Sequence, residues 1–324
     1  MMGEKTNRCL ILGIGKMGLA HLRALKHLNL TQIAVWAPTS RGRQIVEEAE
    51  ATFFCGPIEK AISAFEPTHA IVSSPVETLA LISKQLIIRG VKNILIEKPG
   101  ILNYEEGLML RRVVDEVGAN VFVAYNRRFY ASIQTALKMI KRNSDSILSV
   151  NFEFNERIID QEKFSGYHES VRQKWIIANS MHVLDSVFFP VGLPDFARSC
   201  FIQQGEIPWH SAGSLFVGSG VTDRSVPFSY HANWNAPGRW SFQWMTRDTR
   251  YIFSPIEELK VMTIDNFEVK NVTLEEEQDI NFKPGVINQD LAFIGGPRGE
   301  ELVPLNYALS LLDLGVKIAG YPTK

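Results

Sequence analysis

This chain of 324 residues has few cysteines, no surplus of charge of one sign and no long apolar runs. The three cysteines, Cys9, Cys55 and Cys200, are far apart and odd in number, which argues against a disulfide framework and predicts a reducing, cytoplasmic location. The 34 Lys and Arg residues nearly balance the 35 Asp and Glu residues. We therefore expect neither a nucleic-acid partner nor a polybasic membrane-binding surface.

Metal-binding, secretory and membrane-spanning patterns are also lacking. There is no CxxC pair and no His/Cys cluster, so we predict no metal site. The apolar stretch Cys9–Ile14 is too short for a signal peptide, and no apolar run approaches membrane-spanning length. With 45% apolar and 21% charged residues the chain is typical of a folded globular protein, and its length predicts two domains.

The first part of the chain alternates apolar strand patterns with amphipathic helix patterns. Such alternation predicts βαβ units around a parallel sheet that is covered on both faces. We predict a Rossmann-type, doubly wound dinucleotide-binding domain over residues 1–124. Its predicted strands are Arg8–Leu12, Gln32–Trp36, His69–Ser73, Asn93–Ile96 and Asn120–Ala124, and its predicted helices are Met17–Leu28, Ser40–Ala49, Val76–Arg89 and Tyr104–Val117.

The pattern changes after about residue 125. Period-two stretches, typical of antiparallel strands, follow one helix pattern. We predict that residues 125–324 form an α+β domain with a largely antiparallel sheet and helices on one face. The predicted elements are the helix Ala131–Lys141, the strands Leu148–Phe154, Ala212–Val217, Phe228–Trp234, Trp240–Met245 and Arg250–Phe253, and a closing helix Leu305–Ile318 that could pack back on the first domain.

The segment Gly13–Gly18 reads GxGxxG and directly follows the first predicted strand. A turn of this kind places backbone N–H groups at a helix N-terminus, where a dinucleotide pyrophosphate binds. A tight strand-to-helix turn without a ligand is the alternative. The position in the first βα turn of a doubly wound pattern favours binding.

The second predicted strand is followed by no acidic residue. An NAD-selective site carries a carboxylate here for the ribose, but none occurs between Asn29 and Val46. Thr39, Ser40, Arg41 and Arg43 are instead potential donors to a 2′-phosphate. We therefore favour NADP over NAD; in the alternative interpretation, Ser40 caps the second helix and the arginines are solvated.

Glu97-Lys98-Pro99 ends the predicted strand Asn93–Ile96. A lysine at the carboxyl end of a parallel strand lies where doubly wound sheets bind ligands. Its ammonium group can donate a hydrogen bond to a substrate oxygen and stabilise charge that develops there. By itself, such a lysine is more often solvated than catalytic.

These segments together resemble the Gfo/Idh/MocA oxidoreductases, which include glucose–fructose oxidoreductase and inositol dehydrogenase. The resemblance spans essentially the whole chain. It rests on Gly13–Gly18 with His21 behind it, Ser74-Pro75, Glu97-Lys98-Pro99, and Tyr125-Asn126-Arg127-Arg128-Phe129 at the domain junction.

The resemblance implies a substrate between the domains, a dimer or tetramer formed through the open sheet, and specific site residues. Lys98, Asn126, Arg127, Asn179 and His182 are the implied substrate contacts, and Lys98, His182 and Asn179 the catalytic candidates. The cofactor contacts that we predict are Gly13, Ile14, Gly15, Lys16, Met17, Gly18, Thr39, Ser40, Arg41, Ser74, Pro75, Glu97 and Lys98.

Two positions depart from the family pattern. Leu79 stands where the segment after Ser-Pro usually has a histidine. The family's catalytic helix commonly reads Asp-x-x-x-His-x-x-Asp; here His182 and Asp185 match, but Ala178 replaces the first aspartate. Asn179 is expected to compensate in part for the missing carboxylate.

Nearly every residue between Trp175 and Phe189 is apolar, and Asn179, His182, Asp185 and Ser186 share one helical face. A polar stripe on a buried helix needs a hydrogen-bond network or a ligand. In the structural interpretation Asn179 only caps the helix and His182 is a core histidine. In the catalytic interpretation, which the resemblance favours, His182 exchanges the hydroxyl proton and Asp185 orients or packs.

The segment Tyr230–Trp240 has two tryptophans and an arginine around a Pro-Gly turn. These side chains could stack on a sugar or a base, but a hairpin with aromatic cross-strand pairs needs no ligand and is the preferred interpretation.

The sequence as a whole predicts an NAD(P)-dependent oxidoreductase that acts on a hydroxyl or keto carbon of a sugar, sugar derivative or sugar nucleotide. One alternative is a reductase of a non-sugar substrate, similar to biliverdin reductase. The other is a non-catalytic dinucleotide- or sugar-sensing protein on the same fold, which the absent aspartate at Ala178 keeps open.

Overall fold

The computed structural model describes residues 7–156, 164–275 and 277–322. They form two compact units. The first unit contains the described residues up to Asn126 and the later segment Gln278–Leu309. The second contains Arg127–Glu277 and the described residues from Ser310 onward. The chain thus leaves the first unit two residues after the expected boundary at 124 and returns to it near the carboxyl end.

The first unit is built on a seven-stranded sheet with the order β15-β6-β5-β4-β1-β2-β3. Strands β1 to β6 are parallel, and β15 pairs antiparallel with β6. Because the chain proceeds outward in both directions from the centre, β1 and β4 flank the topological switch point, beside which ligands bind in such sheets. The strands are β1 (Arg8–Leu12), β2 (Gln32–Ala37), β3 (Thr52–Cys55), β4 (His69–Val72), β5 (Asn93–Glu97), β6 (Asn120–Ala124) and β15 (Val303–Pro304).

The described helices surround these strands or belong to the second unit. They are α1 (Lys16–His27), α2 (Arg43–Glu48), α3 (Ile58–Phe65), α4 (Leu79–Ile88), α5 (Tyr104–Val117), α6 (Ala131–Arg142), α7 (Glu169–Arg172), α8 (Met181–Phe188), α9 (Glu277–Asn281), α10 (Val286–Phe293) and α11 (Leu305–Ala319). In the first unit, α10 packs on α1 through an apolar contact of Ala24 with Val286 and Ile287. None of the helices in the described ranges is long and apolar enough to cross a bilayer.

Most predicted elements of the first unit are present, but β3, β15, α3 and α10 were not predicted, and α2 begins later than predicted. Strand β3 was not predicted, since its four residues alternate between buried and accessible positions and carry only a short apolar signal. Helix α2 begins at Arg43 rather than at the predicted Ser40, because Gly42 has a left-handed backbone with a φ of 86°. Strands β1 and β4 are buried almost throughout, as expected for a sheet covered on both faces.

The second unit contains an eight-stranded sheet with the order β14-β13-β12-β11-β7-β10-β9-β8. Every pairing is antiparallel except that of β7 with β10. The sheet is therefore the largely antiparallel one that the sequence predicts. Its strands are β7 (Ser149–Phe154), β8 (Pro194–Gln204), β9 (Leu215–Thr222), β10 (Pro227–Asn233), β11 (Trp240–Met245), β12 (Thr249–Phe253), β13 (Lys260–Thr263) and β14 (Asn266–Asn271).

Three strands at the edges of this sheet were not predicted. Strands β8 and β14 are mostly exposed, and β13 is only partly covered. Strand β8 carries no clean alternation of apolar and polar residues, whereas β14 alternates but is exposed along its whole length and was overlooked. The prediction of a strand at Ala212–Val217 was wrong at its start, since β9 begins at Leu215 after a turn at Gly213, whose φ is 104°.

Candidate active site

The three glycines of the turn after β1 have different surroundings. A Cβ on Gly13 would lie 2.7 Å from the backbone oxygen of Ser73, and one on Gly18 would lie 2.0 Å from that of Gly13. Packing of the turn against β4 and α1 therefore requires both glycines. A Cβ on Gly15 would meet nothing within 4 Å. Gly15 leaves open space at the start of α1, which fits the close approach of a pyrophosphate to backbone N–H groups.

The loop after β4 lies against this turn. The Ser73 hydroxyl donates hydrogen bonds to the backbone oxygens of Leu12, at 3.2 Å, and Gly13, at 3.1 Å. Thr78 donates to the hydroxyl of Ser74 at 2.9 Å. The Gly-rich turn and the Ser74-Pro75 segment therefore meet at the switch point of the sheet, as a dinucleotide site requires. Leu79, at the family's histidine position, is buried at the start of α4.

The segment after β2 is exposed at Thr39, Ser40 and Arg41. Ser40 does not cap the next helix, because the N-cap of α2 is Gly42 and no side chain caps it. Arg43 pairs with Glu47 at 3.1 Å and lies over the ring of Phe53, 4.8 Å from its centroid. Of the two arginines, Arg43 is thus held by contacts within its own unit, whereas Arg41 stands in the exposed loop.

Glu97 is the last residue of β5, and Lys98 follows it at the same edge of the sheet. Lys98 is half-buried, and its peptide bond to Pro99 is cis. The Glu97 carboxylate accepts a hydrogen bond from His21 Nε2 at 2.9 Å. On the other side of the ring, Nδ1 of His21 lies 2.8 and 3.0 Å from the two carboxylate oxygens of Asp290 on α10. We call these three side chains the His21 cluster.

The His21 cluster is buried, with both His21 and Asp290 fully covered. Burial alone lowers the pKa of His21, but the charge and hydrogen bonds of Asp290, together with those of Glu97, outweigh it and raise the pKa to about 10. His21 is therefore an imidazolium at neutral pH. It connects the helix that follows the glycine turn to the residue that precedes Lys98.

The junction segment Asn126–Phe129 divides between the two units. In the first unit, Asn126 is buried and donates a hydrogen bond to the backbone oxygen of Pro284 at 2.8 Å. In the second, the guanidinium of Arg127 lies over the ring of Trp240, 4.8 Å from its centroid. Arg128 donates from Nε and from a terminal nitrogen to the fully buried carboxylate of Asp185.

The polar helix stripe belongs to one continuous helical segment. Residues Ile176–Ser180 form a π-helical turn that runs directly into α8, so Asn179 lies inside the helix and is not its cap. His182 is buried, with its ring 6.4 Å from that of Trp240. Asp185 is the partner of Arg128, which makes it an orienting and packing residue. π-Helical turns frequently occur at functional sites.

A buried carboxylate that the sequence analysis missed stands beside this stripe. Glu156 accepts hydrogen bonds from Asn179 Nδ2, at 3.1 and 3.0 Å to its two oxygens, and from the Ser180 hydroxyl at 2.7 Å. It also lines a cavity of about 270 Å³ in the second unit. The other lining residues are Arg127, Asn155, Arg239, Trp240, Pro255, Ile256 and Glu257.

The two tryptophans of the segment Tyr230–Trp240 have different surroundings. Trp234 stacks on Trp209, with ring centroids 5.2 Å apart, and donates from Nε1 to the backbone oxygen of Phe154. These contacts need no ligand, but the predicted hairpin was wrong, because β7 lies between β10 and β11 and the two strands do not pair with each other. Trp240, in contrast, faces the cavity together with Arg239.

Comparison with known proteins agrees with this geometry. Residues 7–125 match the sequence model of the Gfo/Idh/MocA oxidoreductase family, described as having an NAD-binding Rossmann fold. A search of curated proteins finds no match.

Solved structures similar to the chain include dehydrogenases whose names give a sugar or a sugar nucleotide as substrate. UDP-N-acetylglucosamine 3-dehydrogenase from Acidithiobacillus ferrooxidans is 13% identical with a TM-score of 0.73, and 97% of this chain and 96% of that one are covered. Levoglucosan dehydrogenase in complex with NADH and levoglucosan is 17% identical with a TM-score of 0.74, and 97% of each chain is covered.

The WlbA dehydrogenase from Chromobacterium violaceum, in complex with NADH and UDP-GlcNAcA, is 15% identical with a TM-score of 0.70, and 98% of this chain and 94% of that one are covered. At these identities the likeness shows the fold. The family model matches residues 7–125, and the chain has the two-domain fold of these solved structures.

Proposed function

We propose that the protein transfers hydride between a nicotinamide cofactor and a hydroxyl or keto carbon of a sugar, sugar derivative or sugar nucleotide. The observation that carries the proposal is the arrangement at one sheet edge. The open turn at Gly15 follows β1, Ser74-Pro75 follows β4, and Lys98 follows β5, which are three adjacent strands. A reactive ammonium beside a dinucleotide turn suits chemistry at the cofactor.

The nicotinamide supplies the hydride acceptor or donor when it is bound. Backbone N–H groups from Gly15 onward hold the pyrophosphate. Lys98 donates a hydrogen bond to the reacting oxygen, and His182 exchanges the proton of the hydroxyl. Asn126, Arg127 and Asn179 contact the substrate in this proposal, which further rests on the sugar substrates named for levoglucosan dehydrogenase and WlbA.

The first experiment separates the cofactor site from the rest of the fold. Gly15→Ala should weaken cofactor binding about tenfold or more, since the added methyl group enters space needed by the phosphates. Its melting temperature should not change, because that methyl group meets no protein atom within 4 Å. Gly299→Ala is the matched control, since a Cβ there also meets nothing within 4 Å. Equal affinity of Gly15→Ala and the control would contradict the cofactor site.

The second experiment identifies the reaction. A panel of sugars, sugar acids and sugar nucleotides is offered with NAD⁺ and NADP⁺, or as keto forms with NADH and NADPH, and absorbance of the reduced nicotinamide is followed. Turnover with at least one sugar is expected. Cofactor binding without any turnover would favour the alternative of a nucleotide-sensing protein, for which Ala178 in place of the family aspartate is the supporting observation.

We also propose that NADP(H) is preferred over NAD(H). No carboxylate follows β2 to repel a 2′-phosphate, and Thr39, Ser40 and Arg41 are exposed there. Arg43 is the weaker candidate donor, because it is engaged with Glu47 and Phe53. Calorimetric titration with both reduced cofactors tests this, and tighter binding of NADH would refute it.

The open sheet is the proposed surface for a homodimer or homotetramer. On β10, Phe228, Tyr230 and Ala232 are buried, while Ser229 and His231 on the opposite face are exposed. Apolar side chains are exposed on neighbouring strands, among them Val217 and Ile202. Light scattering after size-exclusion chromatography should therefore show more than one chain per particle, and Val217→Glu should reduce that number.

A further inference from the structure

The helix that carries His182 has Ala178 where the family pattern has an aspartate, one turn before the histidine. The structure supplies a carboxylate to this region from a different element. Glu156 lies two residues beyond the end of β7, and its side chain meets the helix at the two residues after Ala178, Asn179 and Ser180.

The side chain of Glu156 is held in one orientation. Asn179 Nδ2 is within hydrogen-bond distance of both carboxylate oxygens, and Ser180 Oγ donates to Oε1. Glu156 is 6% exposed, and a buried carboxylate needs donors of this kind to remain ionised. Two carboxylate oxygens offer about four lone-pair sites, so this group can accept a further hydrogen bond.

The cavity beside Glu156 is suited to a hydroxylated ring. Its wall combines the Trp240 indole with polar side chains of both hydrogen-bonding types, among them Asn155 and Arg127. Aromatic surface next to acceptors and donors matches a sugar ring, which has apolar C–H faces and hydroxyls at its edge. Trp240 also lies beside His182, so the cavity adjoins the proposed proton-exchanging residue.

We propose that Glu156 is a substrate-binding residue that accepts a hydrogen bond from a ring hydroxyl and so takes over the position of the helix carboxylate missing at Ala178. Asn179 and Ser180 act through Glu156 as positioning residues. The inference rests on the proposed function for its substrate class. It is distinct from that function because it concerns one acceptor on the ring and not the hydride transfer.

The test uses the full chain with cofactor present, Glu156→Gln, and the matched control Glu206→Gln, which removes a charge at an exposed position of the same unit. The probe is the hexose of the panel with the highest kcat/KM, or D-glucose where none turns over. Glu156→Gln should raise the KM or Kd for this sugar about tenfold or more, whereas the KM for the cofactor and the control variant should not change.

Monodeoxy forms of the same hexose give the decisive readout. Removal of the hydroxyl that faces Glu156 should weaken binding to the wild type about tenfold, and Glu156→Gln should lose that discrimination. A merely structural Glu156 would leave the ranking of the deoxy forms unchanged, and that result overturns the proposal. If Glu156→Gln does not fold, Glu156→Asp is used; it keeps the charge, shortens the reach and should lose discrimination in part.

The outcomes also separate this inference from the proposed function. Sugar binding that depends on Glu156, without any turnover by the wild type, would overturn the proposed function and keep the inference. Turnover with equal hydroxyl discrimination by wild type and Glu156→Gln would do the reverse. Hexose binding is measured by tryptophan fluorescence, to which Trp240 contributes, and by calorimetry. If neither detects binding by the wild type, both the inference and the proposed function are overturned.

Discussion

The two units of the protein hold their buried carboxylates in different ways. In the first unit a histidine lies between Glu97 and Asp290, so the positive charge of the cluster can be lost by titration. In the second unit Asp185 is paired with a guanidinium, and Glu156 is held by an amide and a hydroxyl that do not titrate near neutral pH. The first arrangement should respond to alkaline pH, and the second should not.

The largest effect is expected from removing Asp185, the partner of Arg128 in the second unit. Asp185→Ala leaves the Arg128 guanidinium buried without its carboxylate, which should lower the free energy of unfolding by about 3–5 kcal/mol. Urea denaturation measures it. Asp248→Ala is the control, since Asp248 is exposed and lies 3.9 Å from Arg247. If Asp185→Ala lowers the free energy of unfolding by less than about 1 kcal/mol, the Arg128–Asp185 pair contributes no more than an ordinary surface ion pair.

The next effect tests the titratable cluster in the first unit. The folded-state pKa of His21, about 10, lies above its ordinary value of 6.5. Protonated His21 therefore stabilises the fold fully below pH 6.5, and this contribution is lost as the pH rises to about 10. We expect a loss of about 4 kcal/mol in the free energy of unfolding across this window.

Asp290→Asn sharpens this comparison because it removes one of the two charges that hold the proton on His21. Its free energy of unfolding should be lower near neutral pH and should decline less steeply between pH 6.5 and about 10. Equal slopes for the variant and the wild type would show that His21 does not cause the pH dependence.

The third effect separates a charge that supports the fold from one that serves the chemistry. Lys98 is adjacent to Glu97 but only half-buried. Lys98→Met should lower kcat/KM about 10²-fold or more with little change in melting temperature, since the ammonium acts on the transition state. Undiminished turnover of an established substrate would remove Lys98 from the mechanism.

The smallest effect concerns an exposed charge that belongs to neither cluster. If Arg41 donates to a 2′-phosphate, Arg41→Ala should weaken NADPH binding about tenfold and leave NADH binding unchanged. Arg112→Ala is the control, since Arg112 is an exposed residue of α5, which follows β5 and not β2. Normal NADPH affinity in Arg41→Ala would exclude Arg41 from this role.

Local signals were sufficient for the parts of the site that follow a strand directly. The glycine turn, Ser74-Pro75 and Lys98 each lie immediately after a buried apolar run, and parallel strands bring such segments to one edge of a sheet. The exposed edge strand β8 could not be predicted in this way, because its residues alternate too little between apolar and polar.

Partners that are distant along the chain were decided only by tertiary structure. Asp290 is 269 residues from His21, and Glu156 is 23 residues from Asn179, so no spacing rule connects them. The sequence by itself determined where β1, β4 and β5 end and which side chains stand there, since those depend on short-range periodicity. Which buried charges meet was decided by packing, because α10 returns to the first unit and the segment after β7 reaches the polar helix.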